Sequence, residues 1–220
     1  EKDSGFPMTV RFLRQLIAAV FYGDLLTALR AQTVPYELHR GDADAMLEKW
    51  LGRICGTIRS GKGYSSREVR AAMPAMAADF ASIPVCRTPK VKVGVVGEIY
   101  VKYSPLGNNE LEKFLESQDC EVNLPGLMGF VQYCAYNPSE TARLYGGTFM
   151  EKHISSLILG YLAGTERVMI EALKNNGFHA PLPFKELTKL ADGLIGRGDK
   201  MGEGWLLTAE MVELVRAGYE

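Results

Sequence analysis

Lys92-Val-Gly-Val-Val-Gly-Glu98, continuing through Ile99-Tyr-Val-Lys-Tyr-Ser-Pro-Leu-Gly-Asn-Asn109, is the stretch on which the fold reading turns. An apolar β-branched run that ends in Gly-Glu and passes through a polar loop into an amphipathic helix has the order of a first strand and its ligand-facing loop. Outward from it, the pattern predicts a strand over Val91 to Val96, a helix from Asn108 to Gln118 and a second strand over Cys120 to Leu124. A β-loop-α-β order implies a right-handed parallel crossover. The expected fold is therefore α/β: a doubly wound, Rossmann-like parallel-sheet domain over 89–220, preceded by a helical subdomain over 1–88.

In the first part, Val10, Leu13, Ile17, Val20, Phe21, Leu25 and Leu29 recur at helical spacing, which predicts a helix from Thr9 to Ala31. A second helix starts at the possible cap Asp42, and Ser65-x-x-Glu68 is a capping-box pattern for a third. Pro74 inside that third helix predicts a kink or an early end. Beyond the second strand, Pro125-Gly126 opens a short helix through Cys134, and Ser139 to Lys174 reads as helical, bent or divided at Gly146-Gly147 and between Gly160 and Gly164. Asn175-Asn-Gly177 is a C-terminal cap, and two further helices carry Phe184 to Ile195 and Thr208 to Ala217. A two-stranded parallel sheet is smaller than such sheets usually are, and the chain opens on Glu1 rather than Met. The polypeptide is therefore expected to be an excised segment of a longer protein.

Composition narrows the function classes. At 220 residues, with 47% hydrophobic and 23% charged residues, the chain is an ordinary globular one. A net charge of −1 supplies no long-range field to hold polyanions, so nucleic acid is not an expected partner. No apolar run reaches the roughly 18 residues of a membrane span, and Glu1-Lys-Asp-Ser4 is no signal peptide, so the expectation is a cytoplasmic chain with no membrane partner. Cys55, Cys86, Cys120 and Cys134 are widely spaced, without a Cys-x-x-Cys or paired histidine. That spacing encodes neither a closed zinc site nor a disulfide scaffold. His39, His153 and His179 lack partners that would make a hydrolase triad.

Several positions stand out as site candidates, each with a plainer alternative. Gly94-x-x-Gly97 is not a dinucleotide fingerprint and Gly61-Lys-Gly63 is not a phosphate loop. Gly94 and Gly97 then read as close packing of the strand against helices. Glu98, just past the strand, is either a solvated loop residue or a carboxylate held in a cleft. Asn108 and Asn109 most simply cap the following helix; the alternative is that they face an anionic or carbonyl ligand. Cys134, beside Tyr133, is either a structural cysteine or a thiolate placed to meet iron. In Gly202-Glu-Gly-Trp205 the two glycines allow close backbone approach, with Trp205 either covering a ligand or filling the core. Arg197-Gly-Asp199 is a chance match to an integrin tripeptide.

Val93-Gly-Val-Val-Gly-Glu-Ile-Tyr-Val-Lys102, Gly107-Asn-Asn109, Leu124-Pro-Gly-Leu-Met-Gly-Phe-Val-Gln-Tyr-Cys-Ala-Tyr-Asn137 and Gly202-Glu-Gly-Trp-Leu-Leu-Thr-Ala-Glu-Met211 resemble the acyl-CoA dehydratase activase-related proteins, of the 2-hydroxyglutaryl-CoA dehydratase activator family. Tyr22-Gly-Asp24 and Tyr36-Glu37 fit as well. The resemblance implies an oxygen-sensitive system of anaerobic metabolism. In it an ATP-hydrolysing activase passes one electron to a 2-hydroxyacyl-CoA dehydratase, whose 4Fe-4S clusters allow water to leave from a ketyl radical. By that resemblance Glu98, Tyr100, Asn108, Asn109, Tyr133, Glu203, Gly204 and Trp205 would surround an acyl-CoA cleft, with Cys134 as an iron–sulfur ligand. Activase domains and dehydratase-like subunits would be the partners. The family's cysteine loop after the second strand reads Leu124-Pro-Gly-Leu-Met-Gly129 here and holds no cysteine. The isolated segment is therefore expected to hold no cluster and, without ATPase domains, to have no activity of its own. A docking module between activase and dehydratase portions, or a plain ligand-binding α/β domain, are the alternative readings.

Overall fold

Most of the first part is helical for reasons that are local. The computed structural model describes residues 8–220, apart from the side chains at positions 149, 151 and 152; the opening Glu1-Lys-Asp-Ser4 lies outside the described residues. The Thr9 hydroxyl accepts a hydrogen bond from the Phe12 N–H and starts α1 (Val10–Ala31). By length and composition the stretch Val10–Tyr36 would also suit a membrane span, since an 18-residue window within it has a mean hydropathy of 1.4. Here its Phe21, Leu25, Leu26 and Leu29 are buried in the core. Asp42 and Asp44 occupy the first turn of α2 (Asp42–Arg59), where negative charge suits the helix dipole. Ser65 and Glu68 form the reciprocal capping box at the start of α3 (Ser66–Ala81). Pro74 forfeits a backbone hydrogen bond inside α3 without ending it, because Met73, Met76, Ala77 and Phe80 bury that helix on both sides of the proline.

The second part corrects the expected architecture. It runs β1 (Lys92–Gly94), α4 (Ile99–Tyr103), α5 (Pro105–Asn108), α6 (Leu111–Ser117), β2 (Glu121–Asn123), α7 (Leu127–Tyr145), α8 (Phe149–Asn175), α9 (Phe184–Leu190) and α10 (Gly204–Arg216). The two strands pair in parallel, Val93 opposite Val122. On the other side of β1, the Glu220 N–H donates to the Lys92 carbonyl and the Gly94 N–H to the Glu220 carbonyl. A doubly wound, Rossmann-like sheet is nevertheless ruled out, since the structure is 67% helical and its two strands are short. The physical reason lies in Val91 to Val96. That run is only half-buried or exposed, and Gly94 backs onto α10 so closely that a Cβ there would lie 2.8 Å from Leu214 Cδ1. After it the apolar residues return to helical rather than alternating spacing.

One helix boundary also differs from expectation. Gly160 and Gly164 do not divide α8, whereas Gly146, at φ +83°, stands at the end of α7. Gly177, at φ +80°, ends α8 as the Asn-Gly signal predicts: its N–H donates to the Lys174 carbonyl and that of Phe178 to the Leu173 carbonyl.

One apolar cluster surrounds α1 and draws on both sides of position 88. It joins Phe21, Leu25, Leu29, Trp50, Met73, Met76 and Phe80 to Met128, Leu162, Met169 and Leu173. A second gathers Tyr133, Phe184, Leu187, Trp205 and Leu206 around α9 and α10. Leu25 is fully buried at the centre of the first. Leu25→Ala is expected to cost about 2–5 kcal/mol, read as a lower urea midpoint with an unchanged denaturant slope.

Candidate functional site

Helix α1 carries Asp24 two residues after Tyr22 and directly before Leu25 and Leu26, so the fold that buries those neighbours leaves this carboxylate half-buried. Its oxygens accept the N–H groups of Leu127 at 2.9 Å and Met128 at 2.7 Å, two of the donors that the start of α7 leaves unpaired. Gly126 is required beside them, because a Cβ there would lie 2.6 Å from Asp24 Oδ2. Burial pushes the Asp24 carboxyl up to about 6, although both N–H donors and the charge of Lys102 oppose the rise.

Lys102, on α4, is buried against Glu210 of α10, with Nζ to Oε2 at 3.3 Å. Burial raises the Glu210 carboxyl to about 7 against the pull of Lys102. Tyr103 donates its hydroxyl to the Pro125 carbonyl, one residue before Gly126, and burial raises its ionisation strongly, reinforced by the charges of Asp24 and Glu210. A second link joins α4 to α10: Glu203 Oε1 accepts the Ile99 N–H at 3.1 Å, while Glu203 Oε2 is buried without a hydrogen-bond partner.

Of these groups Asp24, Tyr103, Pro125, Gly126 and Glu210 border a cavity of about 110 Å³ between α1, α7, α8 and α10. Its polar lining includes Asp24, Tyr103, Gln132, Glu166, Glu210 and Glu213. Apolar wall is supplied by Met128, Met169, Leu173, Phe184, Leu187 and Leu214. Glu166 Oε1 accepts from Gln132 Nε2 at 3.0 Å and from the Phe184 N–H at 2.9 Å. Burial raises the carboxyls of Glu166 and Glu213 as well, while His179, also at the wall, is held below its ordinary value by burial and by Lys92. Of the cavity's carboxyls, Asp24 and Glu210, raised to about 6 and about 7, can give and take protons near neutrality.

None of the residues singled out from sequence lines this cavity, and of them Glu203 alone joins the adjoining contacts described above. Glu98 lies beside the Gly202 backbone, where a Cβ would come within 2.6 Å of its Oε1. Tyr133 donates its hydroxyl to the Lys200 carbonyl, and the neighbouring Cys134 lies within reach of the charge on Glu203. Gly204 approaches the Asp199 carbonyl too closely for a side chain. Trp205 is fully buried, its ring 5.1 Å from that of Tyr133 and its Nε1 donating to Asn137 Oδ1, so it is a core residue rather than a cover. Asn108 binds the carbonyls of Val101 and Lys102 and accepts the Leu111 N–H, which makes it a local cap. Asn109, at φ +54°, turns the chain between α5 and α6, and Tyr100 is exposed. Sequence reasoning did not assign Asp24, Lys102, Tyr103, Glu166 or Glu210 to a site. The available signal was an acid inside an apolar helix face, visible at Asp24 and again at Glu210.

The thiols do not fit an iron–sulfur cluster. Cys134 is exposed, and partial desolvation together with the charge of Glu203 raises its ionisation, which disfavours the thiolate. Among the described residues no group of three or more His, Cys, Asp or Glu is arranged to hold a metal ion.

Lys102→Met is expected to cost about 3–5 kcal/mol because it strands Glu210, while Lys102→Met combined with Glu210→Leu recovers most of that loss in urea denaturation. The pH dependence has a definite sign. Asp24 and Glu210 hold protons more tightly folded than unfolded, so their contribution is complete in acid and is lost as pH rises through about 6 and about 7. His179 acts in the opposite direction. Relative to Glu210→Gln, the unchanged protein should lose stability as pH rises from about 5 to 7.5; parallel pH profiles for the two would contradict this.

Compared with known proteins, the chain matches no family model, no curated protein and no solved structure.

Proposed function

We propose that the chain is a segment of a 2-hydroxyacyl-CoA dehydratase activator-related protein, where it lends a proton-exchanging polar cavity to an acyl-CoA site and is inactive alone. The observation that supports this reading is convergence. The runs that carry the family resemblance are far apart in sequence, yet they supply Asp24, Lys102, Gly126, Glu203 and Glu210 to neighbouring contacts, and Asp24, Gly126 and Glu210 line one cavity. Residues placed for packing alone have no need to meet around a void.

The chemistry is compatible with dehydration, in which a proton leaves carbon and a hydroxyl departs as water. Glu210 and Asp24, raised toward neutrality by burial, are suited to those transfers, and Lys102 holds Glu210 in place. The iron–sulfur chemistry of the family would come from elsewhere, because the described thiols do not provide a cluster site. By the volume that a water occupies, about 110 Å³ holds roughly four waters, so the cavity suits an acyl group of about five heavy atoms.

Lactoyl-CoA, whose acyl group has that size, is the probe. Titration calorimetry is expected to give saturable binding that weakens at least tenfold in Glu210→Gln and in Met128→Trp, which fills the cavity wall. Absence of binding by the unchanged chain, or equal affinity in both variants, would overturn the proposal.

A further inference from the structure

The end of the helical layer opposite the cavity combines two features that the net charge of −1 conceals. Arg11 and Arg14 on α1, Arg59 at the end of α2, Lys62 in the following turn, and Arg67 and Arg70 on α3 are all exposed. None of them forms an ion pair among the described residues. From Val10 to Phe21 there is no acid, and from Trp50 to Ala72 the one acid is Glu68, whose carboxylate is already occupied by Gly63 N, Ser65 N and Ser65 Oγ.

The fold brings these cations together. A Cβ at Gly61 would lie 3.1 Å from Arg11 Nη2, and the Arg11 guanidinium sits 5.8 Å from the centre of the Tyr64 ring. Arg14 lines one small crevice with Tyr64, Ser66 and Tyr161, and Arg70 reaches Gly164 of α8. Helices α1 and α8 run side by side in the same direction, since Ile17 shares that crevice with Tyr161, and Gln32 at the far end of α1 binds His179 beyond α8.

Large apolar side chains stand exposed at the same end. Met8, Val10 and Leu13 project from the start of α1, and Ile154, Leu157, Ile158 and Tyr161 from α8. Leu157 is 74% exposed and Val10 68%, more than a core-facing stripe would leave in water. A soluble polyanion would match the cations and leave the apolar groups wet. The boundary of an anionic bilayer offers phosphate charge and hydrocarbon within one thin layer.

We infer that this end is an interaction surface for an anionic lipid bilayer, with the arginines and Lys62 on the headgroups and the apolar residues of α1 and α8 entering the acyl boundary. The test uses the full chain and sedimentation with vesicles, either of phosphatidylcholine alone or with about one-third phosphatidylserine, a content that sets a strongly negative surface potential. Binding is expected only to the anionic vesicles, falling as salt rises. The variant Arg11→Gln/Arg14→Gln/Arg67→Gln/Arg70→Gln should reduce it at least tenfold, and Leu13→Ser/Leu157→Ser should also weaken it, with unchanged circular dichroism in both. Failure to bind anionic vesicles, equal binding to neutral ones, or unaltered binding by the arginine variant would overturn the inference. Capture of polyglutamate without vesicle binding would do so too, by assigning the surface to an acidic polypeptide.

Discussion

The carboxylate of Asp24 at the start of α7 is the contact on which the rest of the arrangement depends. It spans 103 positions of sequence and fixes α1, the central helix of the larger core, against the turn that follows β2. This half-buried carboxylate is tolerated because it meets two backbone donors and the positive end of a helix. Gly126 has to lack a side chain for that approach to happen. Once the turn is held, the Pro125 carbonyl is in place to receive Tyr103, and α4 follows.

From α4 the network passes to α10 through two unlike contacts. Lys102 and Glu210 form a buried ion pair, which contributes more to selecting one packing of these helices than to net stability. Glu203 meets the Ile99 N–H and keeps one oxygen without a partner, so the junction of the Gly202-Glu-Gly segment with α4 is imperfectly satisfied. The cavity lies between the α1–α7 and α10 sides of this network, and burial beside its apolar wall raises the carboxyls of Glu166 and Glu210 by penalising their charge.

Local signals in the sequence were legible wherever a few neighbouring residues decide the outcome. Thr9 caps α1, Ser65 and Glu68 form their box, and Gly177 ends α8, each from side-chain or backbone groups within one turn. The sheet was misjudged because a β-branched run specifies an extended segment but not how many strands join it. Among the described residues only Lys92–Gly94 and Glu121–Asn123 pair as strands, and most of the others are helical. One close approach outside the cavity was visible as well: glycines at 202 and 204 signalled it, and the structure brings them against Glu98 and Asp199. The meeting of Asp24, Lys102 and Glu210 was not visible, since it depends on which faces of three distant helices pack together. The segregation of cations at one end was hidden in the same way by a balanced total charge.

If the polar network joins both apolar clusters into one cooperative unit, the two tryptophans report it independently, since Trp50 lies in the cluster around α1 and Trp205 in the one around α10. The decisive measurement is urea unfolding followed by fluorescence in Trp205→Phe and Trp50→Phe, each compared with circular dichroism of the same variant. Coincident fluorescence and circular dichroism transitions in each variant are predicted. A transition of the Trp205 cluster separated from the loss of helix would show that the two parts fold independently and that the buried network does not unite them.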